Sequence, residues 1–173
     1  MKTLLALVIL LLTSSLVVAG ERSAGLYISV SLTRGERGRD SNSRQTTITV
    51  EGSKVVYEVR YGGYRANKRE PIHREYQATG EEINGLQRII KERNLLVSDS
   101  LEYPAEQGPH SYFEITLSLR SGKRESRIEI SGPTRAVKIK DEKLYQSSNA
   151  LIKELFRIIN ARDKDVIYED DVL

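Results

Sequence analysis

The side chains of this sequence best suited to chemistry are rings and cations. Tyr61, Tyr64, Arg65, Lys68 and Arg69 gather around the Gly62-Gly63 pair. Such a set suits a polyanion, because cations meet its charge while rings stack or pack against its body. The charge distribution points the same way. Residues 34 to 74 hold ten lysines and arginines against five acids, a net of +5. Residues 160 to 173 hold two bases against five acids, a net of −3. The chain, at +3 overall, is polarised rather than uniformly basic.

Enzymatic alternatives are few. Asp99, Glu102 and Glu106 share one segment, and two carboxylates about 5 to 9 Å apart can serve glycoside hydrolysis. No tryptophan is present to form a sugar-stacking platform. The two histidines, His73 and His110, lie in separate stretches without metal-motif spacing. His73 and Glu75 would share one face of a strand, but two ligands do not make a metal site. The absence of cysteine removes disulfides, thiolate metal sites, cysteine nucleophiles and lipid attachment through sulfur. No G-x-S-x-G nucleophile elbow occurs. Arg34-Gly35-Glu36-Arg37-Gly38-Arg39 lacks the spacing and the terminal Lys-Ser/Thr of a phosphate loop. The sequence therefore offers no catalytic set, no metal ligands and no cofactor motif. It predicts a non-catalytic binding or interaction domain. The alternatives are a small hydrolase built on Asp99, Glu102 and Glu106, and an inhibitor or structural protein acting through a sheet edge.

The elements that must position these residues follow from periodicity. Leu26, Ile28, Val30 and Leu32 alternate with Tyr27, Ser29, Ser31 and Thr33, the period of a half-buried strand. Residues 34 to 44 hold no apolar side chain and read as a solvated loop. Thr46–Val50 and Val55–Val59 flank Glu51-Gly52-Ser53-Lys54, a two-residue hairpin connection of type II′. Pro71 argues against a central strand between residues 60 and 78. Thr79-Gly80-Glu81-Glu82 fits a capping box, followed by Ile83, Leu86, Ile89 and Ile90 at helical spacing to about Asn94. Phe113–Arg120 and Arg127–Ser131 alternate again around a turn at Ser121-Gly122. Leu144, Leu151, Ile152, Leu155, Phe156, Ile158 and Ile159 mark a second helical face, with Ser147 or Ser148 as its cap.

These elements predict an α+β fold: one antiparallel, twisted sheet of about five strands with two amphipathic helices on one face. Ile48 and Ile115 lie 67 positions apart, as do Ile89 and Phe156, an offset that suggests a duplicated strand–strand–helix unit. The opposite sheet face would carry Tyr27, Ser29, Thr47, Thr49, Glu114, Thr116, Ser118 and Arg127.

Residues 1–20 have the form of a secretory signal: Lys2, the apolar run Leu4–Leu12, then Val17-Val18-Ala19 with small residues at the −3 and −1 positions for cleavage after Ala19 or Gly20. Thr13, Ser14 and Ser15 interrupt the run too early for a membrane-spanning anchor. The expected organisation is a signal peptide at 1–20, a single domain at 21–160 and an acidic, fraying tail at 161–173. The mature protein is expected to be secreted or periplasmic and to have no membrane span. Its expected partner is an anionic envelope glycan, a lipid head group or an acidic protein, not a nucleic acid.

The succession ITVEGSKVVYEV, EEINGLQRIIKERNLL, SDSLEYP and YFEITLSLRSGKRESRIEI, closed by an amphipathic helix, resembles an uncharacterised family of bacterial secreted and lipoprotein domains. The resemblance covers residues 46 to 160. It implies this architecture and a bacterial envelope, and it carries no activity to transfer. The chain departs from the lipoprotein members in having no lipid-bearing cysteine.

Overall fold

A computed structural model describes residues 25–36, 42–63, 66, 69–103, 111–133 and 142–166. Residues 1–20, expected to be a signal peptide, residues 64, 65, 67 and 68, Glu106, His110 and the last seven residues lie outside them. Among the described residues, no helix is long and apolar enough to cross a membrane.

Seven strands form one sheet: β1 (Leu26–Glu36), β2 (Asn42–Glu51), β3 (Lys54–Gly63), β4 (Ile72–Gln77), β5 (Asp99–Glu102), β6 (Ser111–Ser121) and β7 (Arg124–Pro133). Their order is β4-β3-β2-β1-β6-β7-β5. Two helices accompany it, α1 (Gly80–Glu92) and α2 (Lys143–Asn160). Every neighbouring pair is antiparallel except β5 with β7, which is parallel.

The expectation of about five antiparallel strands is thus corrected to seven in a mixed sheet. The five strands with apolar alternation are β1, β2, β3, β6 and β7. The two additional strands are the edges. In β4, His73, Arg74 and Glu75 are exposed in succession, and in β5 only Leu101 is partly covered. An edge strand has one neighbour and little to bury, so it lacks the period-two hydrophobic signal. Pro71 stands just before β4, at an edge where its missing N–H is tolerated.

The proposed duplication fails on handedness. At an offset of 67, β2 would correspond to β6, β3 to β7 and α1 to α2. β2 and β6 are both antiparallel to β1, so they run in the same direction. Yet β3 lies outward of β2 on one side of β1, and β7 lies outward of β6 on the other. Both hairpins bury their side chains in one core. Units so arranged are related by reflection, and no rotation superposes them.

The core follows the alternation. Ile28, Val30, Ile48, Val50, Val55, Val59, Leu117, Ile128 and Ile130 point to one face. There they join Ile83, Leu86 and Ile90 of α1 with Leu151, Ile152, Leu155, Ile158 and Ile159 of α2 in a single cluster. Burying each such side chain contributes about 1.5 to 3 kcal/mol. Tyr57 meets Phe156 edge to face, with centroids 6.3 Å apart and rings at 75°.

The turns and caps are local consequences of sequence. Gly52 (φ 60°) and Gly122 (φ 61°) open the two-residue β2–β3 and β6–β7 connections, where a primed turn needs positive φ. The Thr79 hydroxyl accepts the Glu82 N–H at 3.2 Å, and Glu82 Oε2 accepts the Thr79 N–H at 2.8 Å. α1 ends at Asn94 (φ 53°): the Asn94 N–H donates to Lys91 O and the Leu95 N–H to Ile90 O. This is the bonding pattern of a left-handed helix cap. α2 differs from expectation. It begins at Lys143, without a side-chain cap, and Ser147 and Ser148 lie buried inside it. Leu144 and Tyr145 extend its apolar face by one turn, so the helix starts earlier than the serines suggested.

Candidate functional site

Beyond Leu32, Thr46 and Val59, the core face of the sheet continues on β1, β2 and β3 with half-buried side chains. Strand alternation there places Arg34 of β1, Arg44 of β2 and Tyr61 of β3 on that face. The register makes them one row: Tyr61 opposite Arg44, Arg44 opposite Arg34, and Arg34 opposite Phe113. Neighbouring strands lie about 4.8 Å apart, so the two arginines stand side by side. The next position outward on the same face holds Glu36, opposite Ser111 on β6, and Asn42 on β2.

These residues line a depression of about 390 Å³, together with Gly35, Ser43 and Arg69. The Arg69 guanidinium carbon lies 5.3 Å from the centroid of the Tyr61 ring, within cation–π range. Among the described residues that line it, three arginines and one carboxylate give the depression a positive bias. Among the described residues, neither Arg34 nor Arg69 has a carboxylate within ion-pair distance. Arg44 also reaches inward to the Tyr57 hydroxyl. Burial raises the Tyr57 phenol above its ordinary value, and Arg44 draws it partly back. The arginine is therefore held by the core while it faces the depression.

The floor of the site is kept thin. At Gly35 a Cβ would come within 2.7 Å of the Tyr112 ring, and at Gly62 it would collide with the Ser43 hydroxyl. Tyr112 and Ser43 belong to the opposite face, where they cover the backbone behind the arginine row.

Of the residues picked from the sequence, Tyr61 and Arg69 meet here. Tyr64, Arg65 and Lys68 lie outside the described residues. Sequence reasoning missed Arg34, Arg44, Glu36 and Asn42, because residues 34 to 44 read as a loop. A signal was available. The Gly52-Ser53 turn pairs Glu51 with Lys54, and counting back from it sets Arg44 opposite Tyr61.

The other candidates separate. Asp99 and Glu102 lie on β5 three positions apart, so their side chains leave opposite faces of the strand. Asp99 Oδ1 instead accepts the Ser100 N–H at 2.8 Å. His73 Nδ1 lies 3.1 Å from Glu58 Oε1, and its Nε2 lies 3.5 Å from Glu75 Oε1. The first is a hydrogen bond and the second an ion-pair contact, both on an exposed edge. Glu75 is also paired with Lys54 at 2.8 Å, which lowers its pKa, with His73 adding to the effect. The free edges are poorly suited to pairing with another chain: β4 carries adjacent charges and β5 is four residues long.

A second depression, about 380 Å³, lies on the outer face, where Arg120 sits 5.4 Å over Tyr27 beside Arg127, Ser98 and Ser118. Its charge is offset locally: Arg127 Nε is 2.6 Å from Glu129 Oε1, and Glu125 lines the rim.

In comparisons with known proteins, no family model matches the chain, and no curated protein is similar to it at the level required of a relative. The resemblance over residues 46 to 160 rests on patterning and the Asp99–Tyr103 segment.

Proposed function

We propose that this protein is a non-catalytic binding domain for an anionic ligand, acting outside the cytoplasm once residues 1–20 are removed. The observation that carries the reading is the cross-strand placement of Arg34 beside Arg44 at the half-buried end of the core face. Like charges directly opposite on paired strands destabilise a sheet. An anion between two guanidinium groups reverses the sign of that interaction. It also gains charge-assisted, forked hydrogen bonds, the strongest kind these side chains make. Tyr61 and Arg69 extend the site by a ring and a third cation.

The leader-like residues 1–20 favour an envelope or extracellular partner over a nucleic acid. Asp99 and Glu102 leave opposite faces of β5, which disfavours a pair made of those two carboxylates, while Glu106 of the hydrolase alternative lies outside the described residues. An envelope glycan, a lipid head group and an acidic protein all supply the anion this reading requires.

Retention on a sulfonated matrix tests it. The Arg34→Gln, Arg69→Gln double variant should elute at clearly lower salt than the Arg120→Gln, Arg127→Gln double variant. Both remove the same charge, but only the first removes it from the row. Equal elution of the two would contradict the reading.

A further inference from the structure

We infer that the anion belongs to a sugar. The ligand is a monosaccharide unit with its carboxylate or phosphate between Arg34, Arg44 and Arg69 and its hydroxyls turned to Glu36. This inference rests on the anion-binding reading above and narrows it.

The decisive residue is Glu36. It follows Arg34 by two positions on the same strand face and lines the same depression. Two residues of strand span about 7 Å, the reach of one six-membered sugar ring with its substituents. An ionised carboxylate is an acceptor only. In a site for inorganic anions, or for a densely charged polymer crossing the row, Glu36 would repel the ligand. In a site for a sugar acid, it receives the hydroxyl groups at the far end of the ring.

The neighbours of Glu36 fit the same chemistry. Ser111, opposite Glu36, supplies a hydroxyl that both donates and accepts, and Asn42 places an amide on the same level. A volume of about 390 Å³ suits one small, polar ligand. Among the described lining residues, one carboxylate beside three arginines leaves the site net positive, so the acid group still directs binding.

The charge pattern makes a test with opposite signs possible. Binding of glucuronate, glucose 6-phosphate, inorganic phosphate and glucose would be measured calorimetrically with the full protein and with Glu36→Gln and Arg34→Gln. At least one sugar acid should bind about tenfold more tightly than inorganic phosphate, and the tighter of the two identifies the acid group. Glucose should not bind detectably. Glu36→Gln should tighten phosphate a few-fold by removing repulsion, yet weaken the sugar acid about tenfold by removing its hydroxyl acceptor. Arg34→Gln should weaken every anion. If Glu36→Gln tightens all the anions alike, or phosphate binds as well as the sugar acids, the sugar assignment is overturned while anion binding stands. If no anion binds the unaltered protein, both readings fail together.

Discussion

Glu82 Oε2 lies 2.7 Å from Arg162 Nη2, so the carboxylate that caps α1 also ties down the chain beyond α2. Arg162 Nη1 donates to the other Glu82 oxygen at 3.0 Å and to the Ile158 carbonyl at 2.7 Å. The same stretch places Asp163 against Tyr76, whose hydroxyl donates to Asp163 Oδ2 at 3.0 Å. Burial first, and then this carboxylate, push the Tyr76 phenol up to about 12. Val166 is buried just after. The two helices and edge strand β4 are thereby joined at one corner.

The Glu82 contact should make stability fall in acid. The Arg162 hydrogen bond, helped by the Thr79 N–H, holds the Glu82 carboxyl at about 2, below its ordinary 4.5. A carboxyl lowered by folding stabilises above its unfolded pKa, and that contribution disappears as pH falls from about 4.5 towards 2. In urea unfolding, Glu82→Gln should cost about 1 to 2 kcal/mol at pH 7. The difference from the unaltered protein should shrink progressively below pH 4. A difference that stays constant down to pH 2.5 would contradict the assignment.

Two buried positions on α2 should respond with opposite sign. Leu155 is fully buried, and Leu155→Ala should cost about 2 to 5 kcal/mol, the transfer and cavity terms together. Ser148 is also fully buried, and among the described residues its hydroxyl has no hydrogen-bond partner. Ser148→Ala should stabilise the protein by about 1 kcal/mol, because it removes an unsatisfied polar group of little volume. Thermal midpoints measured side by side check both. A destabilising Ser148→Ala would mean that the hydroxyl is satisfied.

The two hairpin glycines should behave alike. Gly52 and Gly122 have φ near 60°, and nothing lies within 4 Å of where a Cβ would stand at either. Alanine there meets no clash, so its cost is conformational, about 1 to 2 kcal/mol at each site. Chemical denaturation of Gly52→Ala and Gly122→Ala should give equal losses within error. A neutral effect at either would mean that its turn relaxes to another type.

Much of the scaffold was legible because its signals are local. Thr79 with Glu82, Gly52 with Ser53 and the apolar alternation from Leu26 to Leu32 each encode their own geometry. What was not legible depends on neighbours. β4 and β5 exist because β3 and β7 offer them hydrogen bonds, and their polar side chains announce nothing. The arginine row was hidden for the same reason. Arg34 and Arg44 lie where two strands outrun the core, so hydrophobic alternation stops before the strands do. Tyr61 and Arg69 stood out as ring and cation, but only pairing across three strands brings them to the arginines. Ser148 misled for a related reason: serine favours helix caps, yet packing of Leu144 and Tyr145 overrode that preference.

The most direct measurement is an amide and arginine side-chain NMR titration of the full protein with sulfate at low ionic strength. Saturable shifts should concentrate at Arg34, Arg44, Tyr61 and Arg69, and disappear in the Arg34→Gln, Arg69→Gln variant. Shifts that scatter evenly over the surface, or that gather at Arg120 and Arg127 on the opposite face, would contradict an anion site at the end of the β1–β2–β3 row.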